Sequence, residues 1–195
     1  MRKLIVTNIM SLDGYYVEGP DWPFEVLDNF FDSHNAERLR AADTLLLGRT
    51  SFEGFRDFWP PVADDPDPKW NATHREISRL NNAIDKVVIS DSLTAEQTDP
   101  WRNTRIIGRA DAHQQIAELK RQSGNDILVF GSRTMWNDLL TNNLIDELHL
   151  MISPLVFGTG TPIFKNRPPA PLRLIDTRTS DGSQNVLVRY DVRVP

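Results

Sequence analysis

Thr44-Leu45-Leu46-Leu47-Gly48-Arg49-Thr50-Ser51 decides the class of fold. The three leucines do not alternate with polar residues. The run is apolar on both faces, as an interior strand of a sheet covered on both sides must be. Gly48 closes the run, and Arg49, Thr50 and Ser51 put a cation and two hydroxyls where a helix would begin. Lys86-Val87-Val88-Ile89, Arg105-Ile106-Ile107 and Ile127-Leu128-Val129-Phe130 are runs of the same kind, the last closed by Gly131. Leu4 to Met10 reads as the first strand, ended by the turn signal Asp13-Gly14. Helical patterns lie between the runs at Val26 to Ala41, Asp111 to Gln122 and Thr134 to Asn142. This alternation predicts an α/β fold of three layers with a central mixed, mainly parallel sheet.

The C-terminal third changes character. Glu147 to Ser153 alternates, with Leu148, Leu150 and Ile152 on one face. Leu172 to Thr179 and Asn185 to Val194 flank Ser180-Asp181-Gly182-Ser183, which predicts an antiparallel C-terminal hairpin. Two proline clusters, Pro60 to Pro68 and Pro162 to Pro171, are expected as surface loops. Neither is a domain linker, since periodic strands resume on both sides. One domain is expected over all 195 residues.

Composition narrows the partners. Lys and Arg number 22 against 27 Asp and Glu, a net charge of −5, which argues against a nucleic-acid partner. The chain has no cysteine, which excludes disulfides, thiolate zinc sites and cysteine nucleophiles. His34, His74, His113 and His149 lack the spacing of a metal site, so no metal is expected. No apolar run reaches the ~18 residues of a membrane span, and the N-terminus lacks the apolar stretch of a signal peptide. A cytoplasmic protein with a small-molecule partner and no membrane partner is expected.

Ligands of open α/β sheets bind beyond the carboxyl ends of the strands. Gly48, Arg49, Thr50 and Ser51 at one such end suit a phosphate, through free N–H groups, the helix dipole and a guanidinium fork. The plainer alternative is a helix cap with a surface arginine. Ile89-Ser90-Asp91-Ser92 is a second end, readable by itself as an ordinary turn. Phe130-Gly131-Ser132-Arg133-Thr134 is a third, without the spacing of a full dinucleotide fingerprint. Three such ends in one sheet point to a nucleotide pocket. Gly158 and Gly160 could form a tight loop near the same ligand, or a plain connection between strands. Trp22, Phe55, Phe58 and Trp59 could line a pocket for a flat heterocycle.

Several of these segments recur, in order, in a known family. Ser11-Leu12-Asp13-Gly14, Leu47 to Phe55, Val129-Phe130-Gly131-Ser132, and Leu144 to Leu148 running on to Pro154, Gly158, Gly160, Pro162 and Phe164 resemble the dihydrofolate reductase-like family. The match is to the branch of the riboflavin biosynthesis protein's C-terminal reductase domain and its stand-alone bacterial relatives, and it runs from Lys3 to about Val192. The resemblance implies a reductase that passes a hydride from NADPH to a pterin, folate or aminopyrimidine, such as 5-amino-6-(5-phosphoribosylamino)uracil. It implies cofactor contacts at Gly48, Arg49, Thr50, Ser51, Ser90, Gly131, Ser132, Arg133, Thr134 and Gly158. Asp91 stands where relatives often carry a basic residue, which admits NADH beside NADPH. The family's proton-donating carboxylate on the first helix falls nearest to Asp32, with Asp28, Asp13 and Glu25 as alternatives. Substrate contacts are implied at Asp13, Trp22, Asp28, Phe55 and Trp59. Relatives pair through the sheet edge or the C-terminal strands, so a homodimer is expected. The rival reading is a nucleotide-binding or regulatory protein that keeps the fold without turnover.

Overall fold

The computed structural model describes residues 1–16, 26–169 and 171–193. In chain order the elements are β1 (Leu4–Met10), β2 (Tyr15–Tyr16), α1 (Asn29–Ala41), β3 (Ala42–Gly48), α2 (Arg49–Phe58), α3 (Ala72–Ala83), β4 (Asp85–Ile89), β5 (Thr104–Ile107), α4 (Ala112–Arg121), β6 (Asp126–Phe130), α5 (Arg133–Thr141), β7 (Glu147–Ile152), β8 (Thr161–Pro162), β9 (Arg173–Arg178) and β10 (Val186–Asp191). Eight strands form one sheet in the order β5-β4-β3-β6-β1-β7-β10-β9. The first six in that order are parallel to one another. Only β10 runs antiparallel, against both β7 and β9. The expected α/β class, the mainly parallel sheet and the C-terminal hairpin are all present.

The apolar runs take the interior places because both of their faces are covered. Alternate residues of each strand enter one of two cores. Leu4, Val6, Leu46 and Val129 pack with Ile116 of α4 and Trp136 of α5. Ile5, Leu45, Leu47 and Leu128 pack on the other side with Leu39 of α1, Phe52 of α2 and Ile77 of α3. Burying a side chain of this kind stabilises the fold by roughly 1.5–3 kcal/mol.

The amino edge of the sheet is closed by a buried ion pair. Lys120 of α4 reaches Asp146 at 2.7 Å, and the same Asp146 oxygen accepts the Leu4 N–H at 2.7 Å. Helix α4, the start of β1 and the approach to β7 therefore share one carboxylate.

Four details depart from the sequence reading. Helix α1 starts at Asn29 rather than Val26, because Asp28 Oδ1 accepts the N–H groups of Phe30 and Phe31 at 3.0 Å each. Helix α3 follows the first proline cluster and had no strong apolar period; its start is set by a capping box between Asn71 and His74. Within that proline cluster, Pro60–Ala63 forms a short 3-10 helix with Val62 buried. Strand β7 is parallel to β1, and the polar half of its alternation is buried rather than facing water.

Helix α1 is what covers those polar residues. His149 of β7 lies beside His34 of α1, with ring centroids 5.4 Å apart. His149 Nε2 is 3.0 Å from Glu147 Oε2, and Arg189 of β10 lies 3.4 Å from the same oxygen. Burial, reinforced by the neighbouring His149, pushes the His34 pKa down to about 3. Glu147 is held down at about 2, chiefly by its hydrogen bond with His149.

These shifts fix the sign of the pH dependence. Both folded values are depressed, so stability is full above the unfolded value of each group and falls with pH below it. For His34 the loss runs from 6.5 down to about 3, and for Glu147 from 4.5 down to about 2. At pH 5 His34 alone is expected to cost about 2 kcal/mol relative to pH 7.5. Urea unfolding across pH 7.5 to 5 checks this, and His34→Phe should flatten the slope in that window. An equal slope in the variant would refute the assignment.

Candidate functional site

The site is built where β3 and β6 end side by side. Helix α2 begins at Arg49 directly after Gly48, and α5 begins at Arg133 after the turn Gly131-Ser132. Gly131 and Ser132 both take left-handed backbone, with φ of 55° and 50°. That turn brings the two helix starts together. The Gly48 N–H donates to Ser132 Oγ at 3.0 Å, and the Ser132 N–H donates to Ser51 Oγ at 2.9 Å. With the serine hydroxyls engaged across the turn, no side chain caps either helix. Two positive dipole ends with first-turn N–H groups thus lie next to each other, which is the chemistry of a phosphate or diphosphate cradle. Thr50 and Thr134 stand exposed in the two first turns. A Cβ on Gly131 would come within 3.2 Å of Ser51 Oγ, a tight approach that the hydroxyl would have to yield to, and 3.6 Å from the Tyr16 hydroxyl, an ordinary contact.

Two arginines, each beside an acid, adjoin the cradle. Arg49 Nε bonds Glu53 at 2.8 Å, and its Nη1 donates to Ser92 Oγ at 2.6 Å. The arginine therefore spans from α2 to the loop after β4. Ser90 is buried, and its Oγ accepts the N–H groups of Ser92 and Leu93 at 3.2 and 3.0 Å. Its hydroxyl shapes the loop, and Ser92 presents the hydroxyl that meets Arg49. Asp91 Oδ1 accepts the Arg109 N–H at 2.8 Å, and its Oδ2 lies 3.7 Å from the Arg109 guanidinium. Arg109 was missed in the sequence, and Ser92 was read only as part of the strand end with no role of its own, because only the folded loop after β4 brings them to Asp91 and Arg49. Arg133, assigned to the cofactor by resemblance, donates its Nε–H to the Pro162 carbonyl and so fastens β8 to α5.

The loop carrying Gly158 is zipped to the turn after β1. Leu12 N–H donates to Leu155 O at 2.7 Å, Ile163 N–H to Gly14 O at 2.8 Å, and β2 pairs with β8. Asp13 joins the two segments. It accepts Ser11 Oγ–H at 2.6 Å, Phe157 N–H at 3.2 Å and Gly158 N–H at 2.7 Å. Its pKa is lowered, first by the Ser11 hydroxyl. Asp13 therefore stays ionised, as a tie rather than a proton donor. Asp28 is also engaged on both oxygens, Oδ1 in the α1 cap and Oδ2 on the Ser183 hydroxyl at 2.5 Å. Trp22 and Glu25 lie outside the described residues.

Asp32 differs from these acids. It is 8% exposed on α1, and its pKa is raised by burial against the opposing pull of His74. His74 Nε2 of α3 lies 2.8 Å from Asp32 Oδ2. A strip of rings continues from there: Trp70 stands edge-on to His74 at 5.7 Å, Phe58 to Trp70 at 5.6 Å, and Phe58 to Trp59 at 4.9 Å. Phe55 of α2 packs on Phe130, the last residue of β6, at 6.2 Å. Both α1 and α3 start at the carboxyl edge of the sheet, since each leads into a parallel strand from that side. The described residues contain no group of three or more acids or histidines placed to hold a metal ion. Nor is any helix among them long and apolar enough to cross a membrane.

Comparison with known proteins gives a consistent set. The model of the RibD C-terminal domain matches residues 2–188. The uncharacterized protein YyaP of Bacillus subtilis (strain 168) is 30% identical over 199 residues, covering 97% of this chain and 96% of its own. A putative riboflavin biosynthesis protein from Shewanella sp. PV-4 superposes with a TM-score of 0.65 at 20% identity, covering 98% of this chain and 99% of its own. Dihydrofolate reductase from Enterococcus faecalis, solved with NADP(H), superposes with a TM-score of 0.59 at 13% identity, covering 96% and 95% of the two chains. The two solved structures share this fold.

Gly131→Ala tests the cradle. The left-handed backbone and the crowding on Ser51 together should cost about 1–2 kcal/mol in urea unfolding. Gly14→Ala, at φ 85° with open space around the added carbon, should carry only the backbone part. Equal losses at the two positions would remove the close approach of Ser51 from the account.

Proposed function

The chain belongs to the RibD C-terminal domain family, and on that premise we propose that it is a reductase passing a hydride from NADPH to a small heterocycle, a pterin, folate or aminopyrimidine. The observation that carries this reading is the pair of helix starts locked together at Gly48 and Ser132. The N–H groups of Arg49 to Ser51 and of Arg133 to Thr134 bind the cofactor diphosphate. Arg49, steadied by Ser92, and Arg109 bind the phosphate on the adenosine ribose. Asp91 would repel that phosphate if unpaired, but its charge is drawn onto Arg109. This pairing supports NADPH over NADH. When bound, the nicotinamide supplies the hydride.

The ring of the substrate packs against Phe55, Phe58, Trp59 and Trp70, where flat apolar faces lie near one buried carboxylate. Asp32 supplies the proton, since burial favours its neutral form and the other two acids near the first strand and helix are engaged elsewhere. A second copy of the chain is the proposed partner: β9 lies at the sheet edge, with Leu174 and Ile175 exposed. One observation favours the rival reading of a binding protein without turnover, namely that Asp32 is covered and already bonded to His74.

Calorimetric titration separates the readings. NADPH should bind more tightly than NADH, and Arg49→Ala should weaken NADPH by about 1–3 kcal/mol. Arg109→Ala should weaken NADPH and leave NADH nearly unchanged. An unaltered dissociation constant in Arg49→Ala would overturn the phosphate assignment, and no binding of either nucleotide at millimolar concentration would sink the cofactor claim. Cofactor binding without oxidation across dihydrofolate, pterins and aminopyrimidines would favour the rival.

A further inference from the structure

His74 Nε2 lies 2.8 Å from Asp32 Oδ2, and the other ring nitrogen of His74 is engaged by a group outside this pair. His74 is the third residue of α3, the place that a capping box gives to Glu or Gln. Here the imidazole does the capping. Asn71 N–H donates to His74 Nδ1 at 3.3 Å, and Asn71 Oδ1 accepts the His74 N–H at 2.9 Å. A ring nitrogen that accepts a backbone N–H carries no proton, so the neutral ring must be protonated on Nε2. That Nε2–H is the one that meets Asp32 Oδ2 at 2.8 Å. The Trp70 ring, edge-on at 88° and held by its own Nε1–H bond to Asp65 at 2.9 Å, limits rotation of the imidazole. Cap, ring and carboxylate thus fix one tautomer and one orientation.

Resting on the reductase reading above, we infer that His74 is a positioning residue: it holds Oδ2 of Asp32 through Nε2–H and leaves Oδ1 to deliver the proton that reduction of a C=N or C=O bond consumes. The step balances. The substrate carbon accepts a hydride, with its two electrons, from NADPH, which leaves as NADP⁺. The attached nitrogen or oxygen takes the proton from Oδ1. Asp32 is left as a carboxylate, with the new charge on Oδ2 met by the Nε2–H, and water returns the proton. A histidine locked as a donor at Nε2 cannot itself be the proton source without losing that bond, so its part is orientation and charge stabilisation.

The groups acting on Asp32 are His74 from α3 and Asp28 from the cap of its own helix. Burial and Asp28 favour the neutral acid, and His74 opposes them. Removing His74 therefore moves Asp32 toward protonation at higher pH while freeing its orientation. A residue that merely tied α1 to α3 would lower stability without moving that titration in a way a conservative variant restores.

The test uses the full chain with His74→Gln, whose amide nitrogen can replace the Nε2 donor, and His74→Phe, which keeps a ring beside Trp70. Histidine nitrogen NMR should show His74 of the native protein as the Nε2–H tautomer. The Asp32 carboxyl signal should titrate at higher pH in His74→Phe and return toward the native position in His74→Gln. With 7,8-dihydrofolate as the probe, NADPH oxidation by His74→Phe should fall by about tenfold in kcat, with KM for NADPH within about twofold. Its alkaline limb should move to higher pH, and His74→Gln should recover most of both. An Nδ1–H tautomer would overturn the proposal, as would an Asp32 titration unmoved in His74→Phe or a Gln variant as impaired as the Phe variant. Failure of the native protein to bind NADPH would instead sink the reductase reading, and the tautomer and the Asp32 titration would still decide the pairing.

Discussion

Two serine hydroxyls fasten the carboxyl ends of neighbouring parallel strands, and the candidate site depends on that fastening. Ser132 Oγ accepts from Gly48, and Ser51 Oγ accepts from Ser132. Parallel strands lie about 4.8 Å apart, so helices that follow them directly start almost side by side. Each helix start would ordinarily be closed by its own capping side chain. Here the hydroxyls bridge the two starts instead, and both dipole ends remain directed outward. The left-handed backbone at Gly131 and Ser132 is the conformational cost of the arrangement.

The acids around this edge divide by how their oxygens are used. Asp13, Asp28 and Asp91 each accept backbone N–H groups and so serve as ties between segments. For Asp13 these bonds, the Ser11 hydroxyl first, also favour the charged form, so it is poorly suited to hold a proton for delivery. Asp32 is the exception, because burial on α1 works against its charge and a single imidazole works for it. The same logic applies to the cations. In a chain of net charge −5, an anion can be held only where the local field is reversed. Arg49 and Arg109 are the cations at this edge, each beside an acid: Glu53 bonds Arg49 at 2.8 Å, and Asp91 lies 3.7 Å from the Arg109 guanidinium.

Much of the fold was legible before the structure. Runs such as Leu45 to Leu47 and Ile127 to Phe130 are apolar on both faces, and only a covered parallel sheet can bury them in full. The hairpin at Ser180 to Ser183 was equally local. Helix α3 was not legible, since its start rests on an Asn–His cap and its core contacts on Ile77 alone among fully buried apolar residues. The alternation of β7 was legible, but the burial of its polar half was not: Glu147 and His149 face inward, and they are tolerated there because Arg189 and His34 come from distant parts of the chain.

The sequence by itself determined the α/β class, the glycine-closed strand ends and the residues that line them, because these follow from short-range periodicity and backbone freedom. Tertiary structure decided the roles of the ionisable groups. Whether an aspartate caps a helix, ties a loop or keeps a proton depends on which donors arrive from other elements, and those donors are 145 residues away for Asp13 and 155 for Asp28. Asp32 and His74 are the same case: nothing in their spacing announces a pair, and only the packing of α1 on α3 removes the water that would otherwise make the carboxylate an ordinary surface charge.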